Sequence, residues 1–440
     1  MPIQRRSISA FINSRFFVAL FATLTIAFGG LWMAHTQMNR IPDLWEHVYR
    51  VSGIVNGDIV ARPVDSISGY HRDAQYNYGG KVDWQWIELS TQHNDPSFDA
   101  GVVNLDSITA NDSTGADVPY NNTAVYSPVS YVPQIIGFGV GKALNLNAAT
   151  TYYLTEGIML LVYAALTACG IAALQRWRLP TALLLLSPPV IYHFSFAISA
   201  DSLTQGLIIL FSCLLMRAAS CPPQWLDYAI IGSIGILIAL TKFAFMPLIF
   251  IPAALLIVHK STSRQERLTV AASIALSFAA VFAWLKMTAA FVSNPASVSP
   301  AEVHARTSGL LHDPRPAINA LWYSFSHLQG HFRSPLMLLA IWLFFGLVLL
   351  AILGNAIVKP RHWRESLFWL IVFIMAMGTI LATYLAIMWL QGTPSSMSGV
   401  YTPQLRYFVP LFPMMLLAGL ENGARLLGKR RSARAVTACS

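Results

Sequence analysis

The chain has 440 residues, 55% of them hydrophobic and only 11% charged, with a mean hydropathy of +0.53. Soluble domains carry about 25% charged residues, so an ordinary soluble enzyme is excluded, and repeated apolar runs of about 20 residues point to a multi-pass, all-α membrane protein. The formal charge of +9 does not argue for a nucleic-acid partner, because charge flanking the spans on the cytoplasmic side accounts for most of it.

In chain order, Arg5, Arg6 and Arg15 precede the first apolar run, which lacks a clean small-x-small cleavage site and reads as a retained helix over 16–36. A polar segment follows, so that 37–130 is expected to be a first extracytoplasmic loop, rich in turns and short helices. Within it, apolar residues at 44, 48, 51, 54 and 55 are spaced as on one helix face, which predicts a helix lying along the membrane surface. The Gly-containing run 131–146 is too short to span and is expected to be a second surface or re-entrant helix. Further spans are expected at 151–175, 181–198, 202–219, 225–241, 243–259, 268–291, 334–358, 366–390 and 405–427, about ten in all within one membrane domain over 1–440. A second extracytoplasmic loop, 292–333, holds Glu302, His304, Arg306, His312, Asp313, Arg315, His327, His331 and Arg333, and its part 317–332 is amphipathic.

Charge orients this set. With the N-terminus inside, the short inner segments hold more than half of the 29 basic residues, including Arg176, Arg178, Arg217, Lys260, Arg264, Arg267, Lys359, Arg361, Arg364, Arg425 and the tail 428–440. That is the positive-inside pattern, and it puts both termini in the cytoplasm of a cell-membrane protein. The basic tail suits anionic lipid better than nucleic acid. No cysteine lies in the long outer loops, no cysteine pair has metal-ligand spacing, and there is no nucleotide loop, HExxH or GxSxG.

The same orientation brings several ionisable groups to the outer rim: Asp43, Glu46 and His47 after the first span, Asp201 in Ser199-Ala200-Asp201-Ser202, Lys242 between two apolar runs, and Arg406 at the start of the last. Charges at span ends are costly and usually have a partner or a function. Asp43 is either the N-cap of the following helix or a general base toward a hydroxyl. Glu46 and His47 either face solvent or orient an acceptor; with Asp43 they make a divalent cation one candidate cofactor, and no other cofactor is indicated. Asp201 reads equally as a cap and as a substrate contact. Lys242 is either an interfacial lysine reaching lipid phosphates or a partner for a bound anion, and Arg406 offers a planar fork suited to phosphate. Among the loop aromatics, Trp84, Trp86, Tyr70, Tyr76, Tyr78, Tyr120, Tyr126 and Tyr131 form either an interfacial belt or stacking surfaces for sugars. Asn111-Asp112-Ser113 and Asn121-Asn122-Thr123 match the glycosylation sequon, a weak signal.

These residues carry a resemblance. Pro42-Asp43-x-x-x-His47-x-Tyr49-Arg50, Tyr126-Ser127-Pro128-Val129-Ser130-Tyr131-Val132-Pro133-Gln134, Pro188 with Ser199-Ala200-Asp201-Ser202, Thr241-Lys242, and Arg406-Tyr407-x-x-Pro410 resemble, in order and over nearly the whole chain, a bacterial membrane-protein family, domain of unknown function 2142. Leu44 stands where that family has Glu, Glu156 where it often has Arg, and Ser127 where it has Pro. The family in turn resembles the C-type glycosyltransferases. That resemblance implies about ten spans, a long first outer loop bearing surface helices, a polyprenyl-phosphate-linked sugar as donor and a cell-envelope glycan as acceptor. It gives Asp43 the acidic role, with Glu46 and His47 beside it, and gives Lys242, Arg406, Asp201, Tyr131 and Tyr407 to substrate and phosphate. The alternatives are a transporter or flippase of lipid-linked saccharides and a polymer ligase of related fold.

Overall fold

A computed structural model of the chain describes residues 8–67, 77–94, 102–192, 194–259, 262–288, 335–391 and 405–428, with a few positions between 305 and 315. Within 292–333, Glu302, His304, Arg306 and the whole of 317–332 with His327 and His331, together with Arg333, the loop tyrosines Tyr70 and Tyr76 and the tail beyond 428, lie outside the described residues. Helices dominate. Among the described residues six are long and apolar enough to cross a bilayer: α1 (Arg15–His35), α5 (Ala148–Ala173), α7 (Ala200–Ser220), α10 (Arg264–Met287), α11 (Pro335–Val358) and α12 (Trp363–Gln391). Large apolar side chains such as Phe16, Phe282 and Leu347 point outward from them, as expected for helices whose solvent is lipid.

The remaining expected spans are shorter or interrupted. The stretch 181–198 is not one helix: α6 (Arg178–Leu185) stops short of Pro188-Pro189, and only the turn Pro188–Ile191 follows, because a proline ring disfavours the helical conformation of the residue before it. Trp225–Thr241 forms α8, and 243–259 divides into 3₁₀ turns containing Pro247 and a short α9 (Ile251–Val258). The last segment enters through 3₁₀ turns at Leu405–Tyr407 and Val409–Leu411 before α13 (Phe412–Leu426).

Between α1 and α5 the chain builds a separate head. It contains α2 (Leu44–Val55), a four-stranded antiparallel sheet of β1 (Arg62–Pro63), β2 (Tyr78–Asp83), β3 (Thr109–Asp112) and β4 (Gly115–Pro119) in the order β1-β2-β4-β3, and α3 (Trp84–Gln92). The sheet corrects the expectation of an all-α loop. A second correction concerns α2. Every residue from Leu44 to Gly53 is buried, so this helix does not lie along a surface: it is the centre of the head and packs against β2. Trp86 is likewise interior, stacked on Phe138 with ring centroids 4.2 Å apart, which removes it as a sugar platform.

The short helix α4 (Val132–Ala143) follows the head and packs along α5. Its twelve residues rise about 18 Å, short of the roughly 30 Å of a hydrocarbon core. Val132, Ile136, Val140 and Leu144 form an exposed apolar stripe, the pattern of a helix lying in an interface. The opposite face is bared by Gly137, where an added Cβ would lie 2.8 Å from the Thr155 Cα. Gly137→Ala therefore should push α4 off α5 and destabilise by about 1–3 kcal/mol. Gly139→Ala, which meets nothing within 4 Å, should be neutral or slightly stabilising. Melting curves of the two variants in detergent check the contrast.

Among the described residues two large apolar cores result, one among the long helices and one in the head, with a small third cluster around Ala239, Ile249 and Val281. Phe196, Ala197, Ile198 and Ala200, at the start of α7, pack into the head core, while the rest of α7 packs into the other. The polar residues discussed next sit at that seam.

Candidate active site

Asp43 occupies the N-cap position of α2, in the left-handed conformation at φ 57°, but its carboxylate makes no capping bond. Asp tolerates this conformation better than most side chains. Its backbone carbonyl accepts from the His47 N–H at 3.1 Å, while the carboxylate turns outward and accepts from Arg406 Nη1 at 3.1 Å. The positional half of the capping reading holds and the side-chain half does not.

Asp201 lies in the first turn of α7, and there the cap is Ser199, whose hydroxyl accepts from the Asp201 N–H at 3.2 Å. The Asp201 carboxylate is thus free for other work: one oxygen accepts from the Lys242 ammonium and the other lies 3.7 Å from Arg406 Nη1. Lys242 caps the end of α8 and is buried. It does not reach outward as an interfacial lysine would. Tyr407 underlies both cations, with its ring 4.9 Å from Lys242 Nζ and 5.4 Å from the Arg406 guanidinium carbon. Arg406 Nε is buried with no hydrogen-bond partner among the described residues.

His47 sits behind this row. One ring nitrogen pairs with the Tyr131 hydroxyl at 2.7 Å and the other with the Ser199 hydroxyl at 3.3 Å, and the ring lies parallel to Tyr126. Burial lowers its pKa to about 4, although Asp43 and Asp201 pull the other way. The imidazole is therefore neutral near pH 7. Because the unfolded chain takes up this proton near pH 6.5 and the folded one only near pH 4, stability should decline as pH falls from about 6.5 to 4 and then level off. Unfolding of the purified protein between pH 7.5 and 4 checks this, and His47→Gln should lack that part of the slope.

Two of the expected site residues stand apart. Glu46 is fully buried on the other side of α2, where its carboxylate accepts from the Asn122 N–H at 2.7 Å and Asn122 Nδ2 at 3.3 Å; it ties the head together. Tyr131 is fully buried and gives its hydroxyl to His47, so it supports the row and does not face the cleft. A divalent cation finds no set of ligands: among the described residues no three His, Cys, Asp or Glu side chains converge, and a guanidinium occupies the space between Asp43 and Asp201.

Residues that carried no assigned role turn out to hold the site. Ser127 and Ser130 donate to the carbonyls of Leu240 and Thr241 at 2.8 and 2.9 Å, fixing the end of α8 from which Lys242 projects. Gln134 donates to the Ser199 carbonyl at 3.1 Å. Arg50, wholly buried, donates to the carbonyls of Asp58, Ile59 and Tyr126. The segment 126–134 thus touches α2, the loop before α7, and α8. Its dense polar pattern within an otherwise apolar stretch was the available signal.

A narrow cleft lined by Ile41, Pro42, Phe194, Ser199, Asp201 and Arg406 opens onto the cluster. The space inside is about 10 Å³, enough for a single water at most. Any larger ligand must part the ion pairs.

No curated protein and no solved structure matches the chain. The family model described as predicted membrane protein (DUF2142) matches residues 26–415, a range that takes in the second half of α1, the head and every residue of the cluster. On that match the chain belongs to the DUF2142 family of predicted membrane proteins.

Proposed function

We propose that this protein is a membrane glycosyltransferase, moving a sugar from a polyprenyl-phosphate donor to a cell-envelope glycan or polymer on the extracytoplasmic face. The observation that carries the reading is the meeting of Asp43, Asp201, Lys242 and Arg406 at one seam, from segments as far apart in sequence as 363 residues. Two carboxylates and two cations are more than a helix end needs. In this reading about ten segments cross the cell membrane in a C-type arrangement: the six long helices, the shorter α8, the 243–258 and 405–426 segments, and the interrupted 178–198. Both termini are cytoplasmic by the distribution of Lys and Arg, which puts the head and the cluster outside, where a lipid-linked donor is presented.

The cluster is balanced as it stands, so an arriving donor phosphate displaces Asp43 from Arg406. The phosphate then lies between Arg406, with its unused Nε, and Lys242. Asp43 takes the proton of the acceptor hydroxyl as the acceptor oxygen bonds to the anomeric carbon. The bond from that carbon to the phosphate oxygen breaks on the opposite face, and its electron pair stays on the phosphate. The products are an inverted glycoside, a protonated Asp43 and polyprenyl phosphate. Each well-placed donor to the departing charge contributes roughly 3–4 kcal/mol in comparable sites. His47 and Tyr407 act as positioning residues.

The test is mass spectrometry of envelope glycans from a deletion strain, complemented with the wild-type chain or with Asp43→Asn. The expected result is loss of a sugar modification, restored only by the wild type. An unchanged glycan profile in the deletion strain overturns the reading. A second reading, flipping of a lipid-linked saccharide, draws on the interrupted helix at 178–191, since transporters place broken helices at their substrate sites. It requires no base, so full function of Asp43→Asn favours it. The polymer-ligase reading uses the same cluster on a pyrophosphate-linked donor.

A further inference from the structure

The head has a second concave site, at the far end of α2 from Asp43. It encloses about 340 Å³ and is lined by Asn56, Lys81, Asp83, Trp84, Gln85 and Lys142. That volume falls at the small end of the roughly 300–1,000 Å³ of ligand pockets, and none of these side chains takes part in the acid–base cluster. We infer that this cleft binds an uncharged saccharide unit. Its assignment as the docking point for the acceptor glycan rests on the sugar-transfer reading; the saccharide binding itself does not.

The chemistry of the wall selects the ligand. Trp84 is half-buried, and its indole N–H is spent on the Asp112 carbonyl at 3.3 Å. What remains for a ligand is the negative face of the ring, which attracts the slightly positive C–H face of a sugar. Around it stand two amides, a carboxylate and two amines, an alternation of acceptors and donors that suits hydroxyl groups, since each hydroxyl both donates and accepts. The side chains are held in advance: Asn56 Nδ2 donates to the Asp83 carboxylate at 2.9 Å and the Lys81 carbonyl at 3.0 Å, and Asn56 Oδ1 accepts from Lys142. Less ordering is then needed on binding.

Charge argues against a phosphate or lipid headgroup here. Lys81 Nζ lies 2.6 Å from the Asp112 carboxylate and Lys142 Nζ 3.9 Å from that of Asp83. Both cations are matched, and Asp83 would repel an anion. The two sites are joined by α2, whose twelve residues place them about 18–20 Å apart. A ligand engaging both is an extended oligosaccharide, which gives the acceptor a length requirement.

The experiment uses the full chain in nanodiscs on an array of neutral and anionic oligosaccharides. The expected result is binding of at least one neutral oligosaccharide, weakened roughly tenfold or more by Trp84→Ala and by Gln85→Ala, and partly retained by Trp84→Phe. Melting curves identify any variant that fails to fold; should Trp84→Ala be one, Gln85→Ala and Trp84→Phe carry the comparison. The inference is overturned if no neutral oligosaccharide binds, if binding is undiminished in every folded cleft variant, or if cleft-dependent binding is confined to anionic glycans or to vesicles of anionic lipid. Cleft-dependent binding together with an unchanged envelope in the deletion strain would retire the transferase reading and leave this site standing.

Discussion

Asp43→Asn is expected to stop sugar transfer while strengthening, not weakening, the hold on the donor. General-base catalysis contributes about 10²–10⁴-fold, and an amide cannot take the proton. The same change removes one negative charge from a balanced cluster. Arg406 loses the charge of its nearest carboxylate partner and meets the donor phosphate with less competition. Turnover and affinity should therefore move in opposite directions, which general misfolding would not produce. Asn also tolerates the left-handed conformation at position 43 and still offers an oxygen to Arg406, so the fold should persist. Binding of polyprenyl phosphate to the purified variant, set beside envelope glycan profiles of the complemented strain, measures both arms. Wild-type complementation by Asp43→Asn would remove the mechanism.

Lys242→Met is expected to cost about 3–5 kcal/mol of stability, because it strands the Asp201 carboxylate in a buried setting. Arg406 at 3.7 Å offsets part of that cost. Adding Asp201→Asn removes the stranded charge and should restore much of the stability, since replacing both partners of a buried pair is often close to neutral. It should not restore function, because the phosphate has lost a cation. The double-mutant cycle in thermal unfolding reads the coupling directly, and coupling near zero would mean that this ion pair does not hold the seam together. Recovery of stability without recovery of activity separates the architectural role of Lys242 from its proposed role toward the donor.

The sequence by itself determined the solvent of this protein and much of its layout. Six long apolar runs became six long helices, because hydropathy over about 20 residues is a local property that lipid enforces regardless of neighbours. It also marked Asp43, Asp201, Lys242 and Arg406, since a charge at the end of an apolar run stands out against its surroundings. The tertiary structure decided how these groups pair. Nothing local says that Ser199 caps α7 and leaves Asp201 free, or that Arg406 reaches back to Asp43. Glu46 reads as a solvated or acceptor-orienting residue and Trp86 as an interfacial or sugar-stacking one, yet both are buried, the first held by Asn122 and the second stacked on Phe138 of α4. The sheet itself was hidden for the same reason. Gly79-Gly80 in β2 reads as a turn, but a side chain at Gly79 would overlap the Val118 carbonyl on β4, so glycine there is what pairing requires. Periodicity reports the environment a residue creates for its own segment; pairing, enclosure and charge balance depend on segments hundreds of residues away, and only the packed chain brings them into contact.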